Sequence, residues 1–118
     1  MDIFEFIVEN INNPTCEFNR KLARLLQTFT LNGNLNVPQA GNPATRYNVL
    51  TYFRKPSRIK STHLRGVLRV IVSQAAQQIQ INDACVISRA TEMLKKAITL
   101  NERQGYRILA SHVNMKRI

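Results

Sequence analysis

Few side chains in this sequence have the chemistry of a catalyst. His63 and His112 are the only histidines, and Cys16 and Cys85 are the only cysteines. Neither pair has the Cys-x-x-Cys or His-x-x-x-His spacing that binds zinc. A nucleophilic pair of Cys85 with one histidine stays open, although a thiol in an apolar helical neighbourhood is more often a buried structural residue.

Motifs that hold a nucleotide or a metal are also missing from the sequence. It has four glycines, and they form neither a phosphate loop nor a dinucleotide-binding pattern. The seven carboxylates lie mostly near predicted helix starts or on exposed faces, where they cap helices and favour solubility. We therefore predict that the protein is not an enzyme, and that it has no cofactor, no metal and no small-molecule substrate.

Basic residues are the chemically active group that remains. Lys and Arg outnumber Asp and Glu by 17 to 7, a net charge of +10, and such a chain attracts polyanions. Residues 1–17 carry carboxylates but no Lys or Arg, whereas residues 18–82 carry Lys and Arg but no carboxylate. A surface that only has to be soluble mixes both signs, so the second region predicts phosphate binding. The alternative is that these basic residues form an ordinary solvated face in a chain of biased composition.

Three basic clusters and two further residues are the candidates for nucleic-acid contact. In chain order they are Arg20, Lys21, Arg24, Arg46, Tyr52, Arg54, Lys55, Arg58, Lys60, Arg65 and Arg69. We expect the three clusters to form one continuous surface that neutralises phosphates. Tyr52 is included because an exposed ring can stack on an unpaired base, whereas Tyr47 and Phe53 are equally explained as core residues.

The spacing of apolar residues predicts the elements that position these side chains. Residues 2–11 fit a helix or a strand, and an acidic residue at Asp2 favours the helix. Residues 18–29 predict an amphipathic helix with a basic outer face, which ends near Gly33. Residues 33–45, rich in Gly, Pro and Asn, predict a loop.

The second half of the chain predicts further helices. Asn42 is expected to cap a short helix. Ser61 or Thr62 is expected to cap a helix over residues 62–80. Asn82-Asp83 is expected to cap another helix, predicted over residues 83–105, with a mixed-charge solvated face, and the C-terminal tail also has helical spacing.

These helices must bury their apolar stripes against one another. We therefore predict an all-α protein, a compact bundle of about five helices that forms a single domain over residues 1–118. The domain consists of an acidic N-terminal segment (1–17), the basic region (18–82) and the C-terminal helices (83–118). The acidic segment can pair with its own basic face or with that of a second copy. A homodimer is expected, because a small bundle gains core by pairing.

The sequence also bears on the compartment. It has no apolar run long enough to span a membrane, and its acidic start is unlike a signal peptide. Two cysteines are too few for a disulfide scaffold, so we expect reduced thiols buried as small core residues. One disulfide between Cys16 and Cys85 is the alternative. We expect an intracellular protein, cytoplasmic or nuclear and not secreted.

The favoured function is non-enzymatic binding of nucleic acid through its backbone and shape. No helix rich in base-reading residues is evident, which favours RNA, either duplex or a packaged viral genome, over DNA. A DNA-binding or architectural protein is one alternative. Residues 97–113 resemble the end of a histone fold, although the segment before them is too short for the long central helix of that fold. An interaction module with an acidic protein partner is the other alternative.

Overall fold

The computed structural model describes residues 2–53 and 62–116, and for Lys116 it describes the backbone alone. This part of the chain contains six α-helices and one β-hairpin. The elements are α1 (Ile3–Asn10), α2 (Glu17–Gln27), β1 (Thr30–Leu31), β2 (Asn34–Leu35), α3 (Pro43–Tyr52), α4 (Leu64–Gln78), α5 (Ala84–Ala97) and α6 (Leu100–Lys116). The predicted all-α bundle is confirmed. Within the described ranges, none of the helices combines the length and the apolarity needed to cross a lipid bilayer.

Three helices start at the polar residues that the sequence indicates. The Asp2 carboxylate accepts the Glu5 N–H at 2.8 Å and begins α1. The Asn42 side chain accepts the Ala44 N–H at 2.9 Å and begins α3. Asp83 caps α5 in the same way. Each side chain satisfies a first-turn N–H that has no acceptor within its helix, which is why these boundaries are predictable.

A β-hairpin follows α2 where the sequence predicts the end of a helix. The helix already ends at Gln27, and Phe29 beyond it is buried in the core. Asn32 and Gly33 have φ angles of 54° and 79°, and together they form the two-residue turn between β1 and β2. An Asn-Gly pair favours this left-handed turn. Gly33 is therefore a hairpin residue, and the predicted loop 33–45 begins in the hairpin turn, includes β2 and ends in α3.

The single helix predicted over residues 83–105 is two helices. Thr99 interrupts it, because its hydroxyl accepts the Glu102 N–H at 3.2 Å and the Glu102 carboxylate accepts the Thr99 N–H at 3.0 Å. This reciprocal arrangement is a capping box, which satisfies two N–H groups at once and starts α6. The break allows α6 to return and pack against α4.

The start of α4 also differs from the prediction. His63 is its N-cap residue and makes no side-chain hydrogen bond there. Ser61 lies outside the described residues. Thr62 is not the cap, because α4 begins at Leu64, one residue after His63. The Thr62 backbone pairs with Asn114: its N–H donates to the Asn114 side chain at 2.8 Å, and its carbonyl accepts from the Asn114 amide at 2.9 Å.

The core lies where α5 packs against α4 and α2, while α6 closes over α4 and α3. Leu25, Leu68 and Leu94 are fully buried there, and each such side chain stabilises the fold by about 1.5–3 kcal/mol. Tyr106 of α6 is fully buried too, and its hydroxyl donates to the Pro38 carbonyl. Burial raises the pKa of the Tyr106 phenol, and the nearby Glu102 carboxylate adds to the effect.

Neither cysteine is the core residue that the sequence suggested. Cys16 is half-buried and caps α2, where its sulfur accepts the Asn19 N–H at 3.4 Å. Cys85 is exposed in the first turn of α5. Both thiols are free, so they form no disulfide. The reason is positional: each residue stands at a helix start, where the chain emerges at the surface.

Candidate nucleic-acid interface

The α2 cluster lies on the outer face of its helix, and two of its three cations, Arg20 and Lys21, contact polar groups of other described residues. The Arg20 guanidinium donates to the Asn13 carbonyl at 3.2 Å and is half-buried. The Lys21 ammonium pairs with Glu17 at 3.3 Å. Arg24 is exposed and makes no ion pair with any described residue. The Glu17–Lys21 pair lies within α2 itself, and Arg20 contacts the acidic segment only through a backbone carbonyl.

The α4 cluster reaches across to α5. The Arg65 guanidinium pairs with the Glu92 carboxylate, and the Arg69 guanidinium donates to the Ser88 hydroxyl at 3.4 Å. The hydrogen bond from Arg65 is the main reason why the pKa of Glu92 lies below its usual range; desolvation opposes this shift and the positive charges of Arg65, Lys95 and Lys96 support it. The carboxylate-free region 18–82 thus meets a carboxylate from outside it.

Arg46 occupies a different place in the fold. Its guanidinium forms a hydrogen bond of 3.1 Å with Nδ1 of His112, and this bond joins α3 to α6. A guanidinium only donates, so Nδ1 of His112 accepts and carries no hydrogen in this arrangement. Arg46 is half-buried, and its guanidinium already makes this hydrogen bond within the protein.

The aromatic residues of α3 divide between surface and core. Tyr52 is 53% exposed, as predicted, and its ring meets Phe53 edge to face at 5.2 Å. Phe53 is buried, but Tyr47 is 66% exposed, so its interpretation as a core residue is wrong. The helix buries Thr45 and Val49, which lie one turn apart, and Tyr47 projects from another face.

Four predicted site residues lie outside the described residues. They are Arg54, Lys55, Arg58 and Lys60. Their place relative to the α2 and α4 clusters is therefore untested. Among the described residues, no hydrogen bond or ion pair joins the α2 cluster to the α4 cluster directly, although both helices pack against α5.

The fold adds cations that the sequence had assigned to an ordinary solvated face. We define the α4–α6 basic surface as the side chains of Arg65, Arg69, Arg89, Lys95, Lys96, Arg103 and Arg107. Glu92 links its parts, because it pairs with Arg65 and also lines a hollow shared with Arg89 and Lys96. Asp2 lines the same hollow. Glu92 forms the only ion pair with this surface among the described residues.

This surface contains a cleft of about 420 Å³. It is lined by the start of α4, by Lys95 of α5 and by residues of α6 between Arg103 and Asn114. We call it the α4–α6 cleft, and four cationic side chains line it: Arg65, Lys95, Arg103 and Arg107. Thr62, His63, Ser111 and Asn114 add polar groups, and no carboxylate lines the cleft among the described residues. Its chemistry is that of an anion receptor.

Arg103 is the most constrained of the four cations. Its guanidinium Nη2 donates to the Lys95 carbonyl at 2.8 Å, which satisfies one of the last carbonyls of α5. Its Nε is buried and has no hydrogen-bond partner among the described residues. A buried guanidinium N–H without an acceptor costs stability.

The residues considered for catalysis do not come together. Cys85 makes no hydrogen bond with His63 or His112, and His112 is engaged by Arg46. Within residues 2–53 and 62–116, no three His, Cys, Asp or Glu side chains are grouped so as to hold a metal ion. Comparison with known proteins adds nothing to this, since no family model, curated protein or solved structure matches the chain.

Proposed function

We propose that this protein is a non-enzymatic nucleic-acid-binding protein that recognises the phosphate backbone and the shape of its ligand. The observation that carries the proposal is the α4–α6 basic surface, whose seven cations have one ion-pair partner, Glu92, among the described residues, while Asp2 lines a hollow beside Arg89 and Lys96. Clustered like charges repel one another and lower the stability of the fold. Phosphates would relieve that repulsion and release their own counterions, which favours binding.

The candidates in region 18–82 extend the proposed interface. Arg24 and Arg69 have no ion-pair partner among the described residues. Arg20, Lys21 and Arg46 each make a polar contact within the protein and are positively charged candidates as well. Arg54, Lys55, Arg58 and Lys60 remain candidates by sequence alone. Whether these residues and the α4–α6 basic surface act as one interface is part of the proposal.

RNA is the preferred ligand in this proposal. Basic side chains spread over several helices suit recognition of phosphates and helical shape, and no single helix presents a set of base-reading residues. The exposed rings of Tyr47 and Tyr52 offer stacking surfaces for unpaired bases, which are more common in RNA. A packaged viral genome or a sequestered duplex would both fit this chemistry.

A salt series tests the proposal. Binding to double-stranded RNA, double-stranded DNA and single-stranded RNA of matched sequence is measured by fluorescence anisotropy. If about six phosphates are neutralised, the logarithm of the affinity falls against the logarithm of salt with a slope of roughly −4 to −5.5, depending on strandedness. A variant with Arg69, Arg89 and Lys96 changed to Gln is expected to weaken binding and to flatten this slope.

A control variant distinguishes the effect of this surface from the effect of net charge. Glu5→Gln with Glu9→Gln raises the net charge on α1, outside the proposed interface. If net charge alone governed affinity, this control would strengthen binding as much per charge as the interface variant weakens it. Weak binding to all three nucleic acids, with no effect of the interface variant, would reject the proposal and direct the search to an acidic protein partner.

Self-association and location are lesser parts of the proposal. Val8, Leu31, Leu100 and Met115 are more than half exposed, which offers apolar contacts for a homodimer. Sedimentation at rising concentration tests this, and a mass that stays at one chain rejects it. Two free cysteines and a nucleic-acid ligand support an intracellular location.

A further inference from the structure

We propose that the α4–α6 cleft binds a phosphate monoester, and that the monoester is the terminal phosphate of a nucleic-acid strand. The inference rests on the proposed nucleic-acid function and adds a recognition site to it. It concerns a concave site bounded by three helices, not the open basic surface around it. Three of its four cations, Lys95, Arg103 and Arg107, lie beyond the region in which the sequence predicts binding.

The charge of the cleft favours a monoester over an internal phosphodiester. A backbone diester carries one negative charge, whereas a monoester carries about −1.5 to −2 at neutral pH and offers three acceptor oxygens. Four cations line one hollow of about 420 Å³, three of them without an ion pair among the described residues, and none of the described residues that line it supplies a carboxylate. Glu92 is engaged with Arg65 from the neighbouring hollow and does not line the cleft.

The hydrogen-bond donors of the cleft also favour a phosphate group. Nη2 of Arg103 is fixed by the Lys95 carbonyl at 2.8 Å, and Arg103 is one of the four cations that line the cleft. The guanidinium is thus pre-oriented, and charge-assisted bonds from such a donor to phosphate are strong and directional. The Ser111 hydroxyl, also in the lining, is a further donor.

The start of α4 also favours an anion in the cleft. His63 is the N-cap residue but gives no side-chain hydrogen bond to the first turn, and both His63 and Leu64 line the cleft. The positive end of a helix dipole therefore faces the hollow without a capping acceptor, which favours an anion there. The helix start supports the four cations and would not by itself define a site.

The size of the cleft suits the end of a strand. A phosphate in the middle of a strand needs room for a nucleotide on each side. A terminal phosphate has a nucleotide on one side only. The volume is in the range of pockets that hold a small ligand, so it can accept the terminal phosphate and part of its nucleotide.

The test compares one single-stranded RNA of fixed sequence with a 5′-phosphate, a 3′-phosphate or hydroxyl groups at both ends. We expect the intact protein to bind one of the phosphorylated strands about tenfold more tightly than the hydroxyl strand, as a group of charge-assisted bonds predicts. Adenosine monophosphate and inorganic phosphate are titrated separately by calorimetry. These arms distinguish a strand end from a free phosphate compound.

Two variants with the same change in charge separate the cleft from its surroundings. Lys95→Gln with Arg107→Gln removes two cations of the cleft, whereas Arg89→Gln with Lys96→Gln removes two cations of the same basic surface outside it. The cleft variant is expected to lose the preference for the phosphorylated strand. The control is expected to weaken binding of all strands equally and to keep the preference. Circular dichroism establishes that both variants are folded.

The outcomes for the two proposals are distinct. Tight binding of all strands without regard to a terminal phosphate overturns the cleft inference and leaves the nucleic-acid function standing. Loss of the preference in the control variant as well overturns the assignment to the cleft. Binding of adenosine monophosphate as tight as that of the phosphorylated strand supports a monoester site and overturns its assignment to a strand end. Absence of binding to any nucleic acid overturns the proposed function itself.

Discussion

Thr62 and Asn114 exchange two hydrogen bonds between the start of α4 and the end of α6. The Thr62 N–H donates to the Asn114 side-chain oxygen at 2.8 Å, and the Asn114 amide donates to the Thr62 carbonyl at 2.9 Å. The amide side chain thus pairs with the backbone as a neighbouring strand would. This pairing fixes the residue before the His63 cap, and it holds one wall of the α4–α6 cleft against another.

Asn114→Ala tests the energetic contribution of this pair. The substitution removes both hydrogen bonds and leaves the backbone groups of the buried Thr62 without these partners. We expect the free energy of unfolding to fall by about 1–3 kcal/mol, as measured by urea denaturation. Gln104→Ala, at an exposed position of the same helix, is the control and is expected to change it by less than about 0.5 kcal/mol. Equal midpoints for Asn114→Ala and the parent protein would contradict this account.

Gly66→Ala probes the same junction from α4. In an exposed helix this change usually stabilises by about 0.5–1 kcal/mol, because glycine loses more backbone entropy on folding. Here a Cβ at position 66 would overlap the Thr62 hydroxyl, and Thr62 is 5% exposed with its backbone held by Asn114. We therefore expect Gly66→Ala to lower the free energy of unfolding.

A double-mutant cycle isolates this clash. Thr62→Ala removes the hydroxyl that blocks the new methyl group, so Gly66→Ala in that background is expected to stabilise by about 0.5–1 kcal/mol. The sign of the effect at Gly66 then depends on the residue at position 62. A stabilising effect in both backgrounds would show that Thr62 turns aside without cost, and the steric argument would be wrong.

Tyr106→Phe is expected to change how stability depends on pH. Burial raises the pKa of the phenol, so the folded state holds this proton more tightly than the unfolded chain, where a tyrosine ionises near pH 10. The contribution is complete below about pH 10 and is lost as the pH rises above that value, at about 1.4 kcal/mol per pH unit. The phenylalanine variant lacks this loss, although it gives up about 1 kcal/mol at neutral pH with the hydrogen bond to Pro38.

Urea denaturation between about pH 9 and 11, on either side of the usual tyrosine pKa, measures the difference between Tyr106→Phe and the parent. Lysine ionisation affects both proteins equally and cancels in the comparison. Tyr52→Phe is the matched control, because Tyr52 is exposed and its hydroxyl makes no hydrogen bond with a described residue. Parallel pH profiles for Tyr106→Phe and the parent would show that the buried phenol is not the source of the dependence.

Local signals account for the parts of the fold that the sequence predicts correctly. Asp2, Asn42 and Asp83 cap helices within their own neighbourhood, so residue type and spacing are sufficient. The break before α6 had an equally local signal in Thr99 and Glu102. It was missed because the apolar spacing continues through the buried Ile98, and periodicity alone does not register a change in helix direction.

The candidate site depends on contacts that spacing along one helix cannot reveal. Arg65 is placed beside Glu92, which is distant in the chain, only because α4 packs against α5. The same packing gathers Lys95, Arg103 and Arg107 around the start of α4. In the sequence, these cations stand among carboxylates and are typical of a solvated face. The carboxylates of that segment are occupied in the fold, Glu102 by capping and Glu92 by Arg65, which leaves the cations in excess.

Glu92→Gln is expected to strengthen nucleic-acid binding. The substitution removes the single carboxylate paired with the α4–α6 basic surface among the described residues, and it frees Arg65 to contact a phosphate. One additional contact with a duplex makes the slope of log affinity against log salt more negative by about 0.9. Affinity at low salt is expected to rise accordingly. Anisotropy titrations of double-stranded RNA at several salt concentrations measure both quantities.

The cost of Glu92→Gln to stability is expected to be small. The side chains of Glu92 and Arg65 are both more than one-third exposed, so loss of their ion pair lowers the free energy of unfolding by at most about 1 kcal/mol. Because Arg65 lowers the pKa of Glu92, this contribution is present above the usual carboxyl pKa and is lost as the pH falls through the lowered value, where variant and parent converge. Glu5→Gln carries the same change in charge on α1 and is expected to leave the salt slope unchanged. A Glu92→Gln protein that binds RNA more weakly than its parent would show that Arg65 must stay paired, and it would remove Arg65 from the interface.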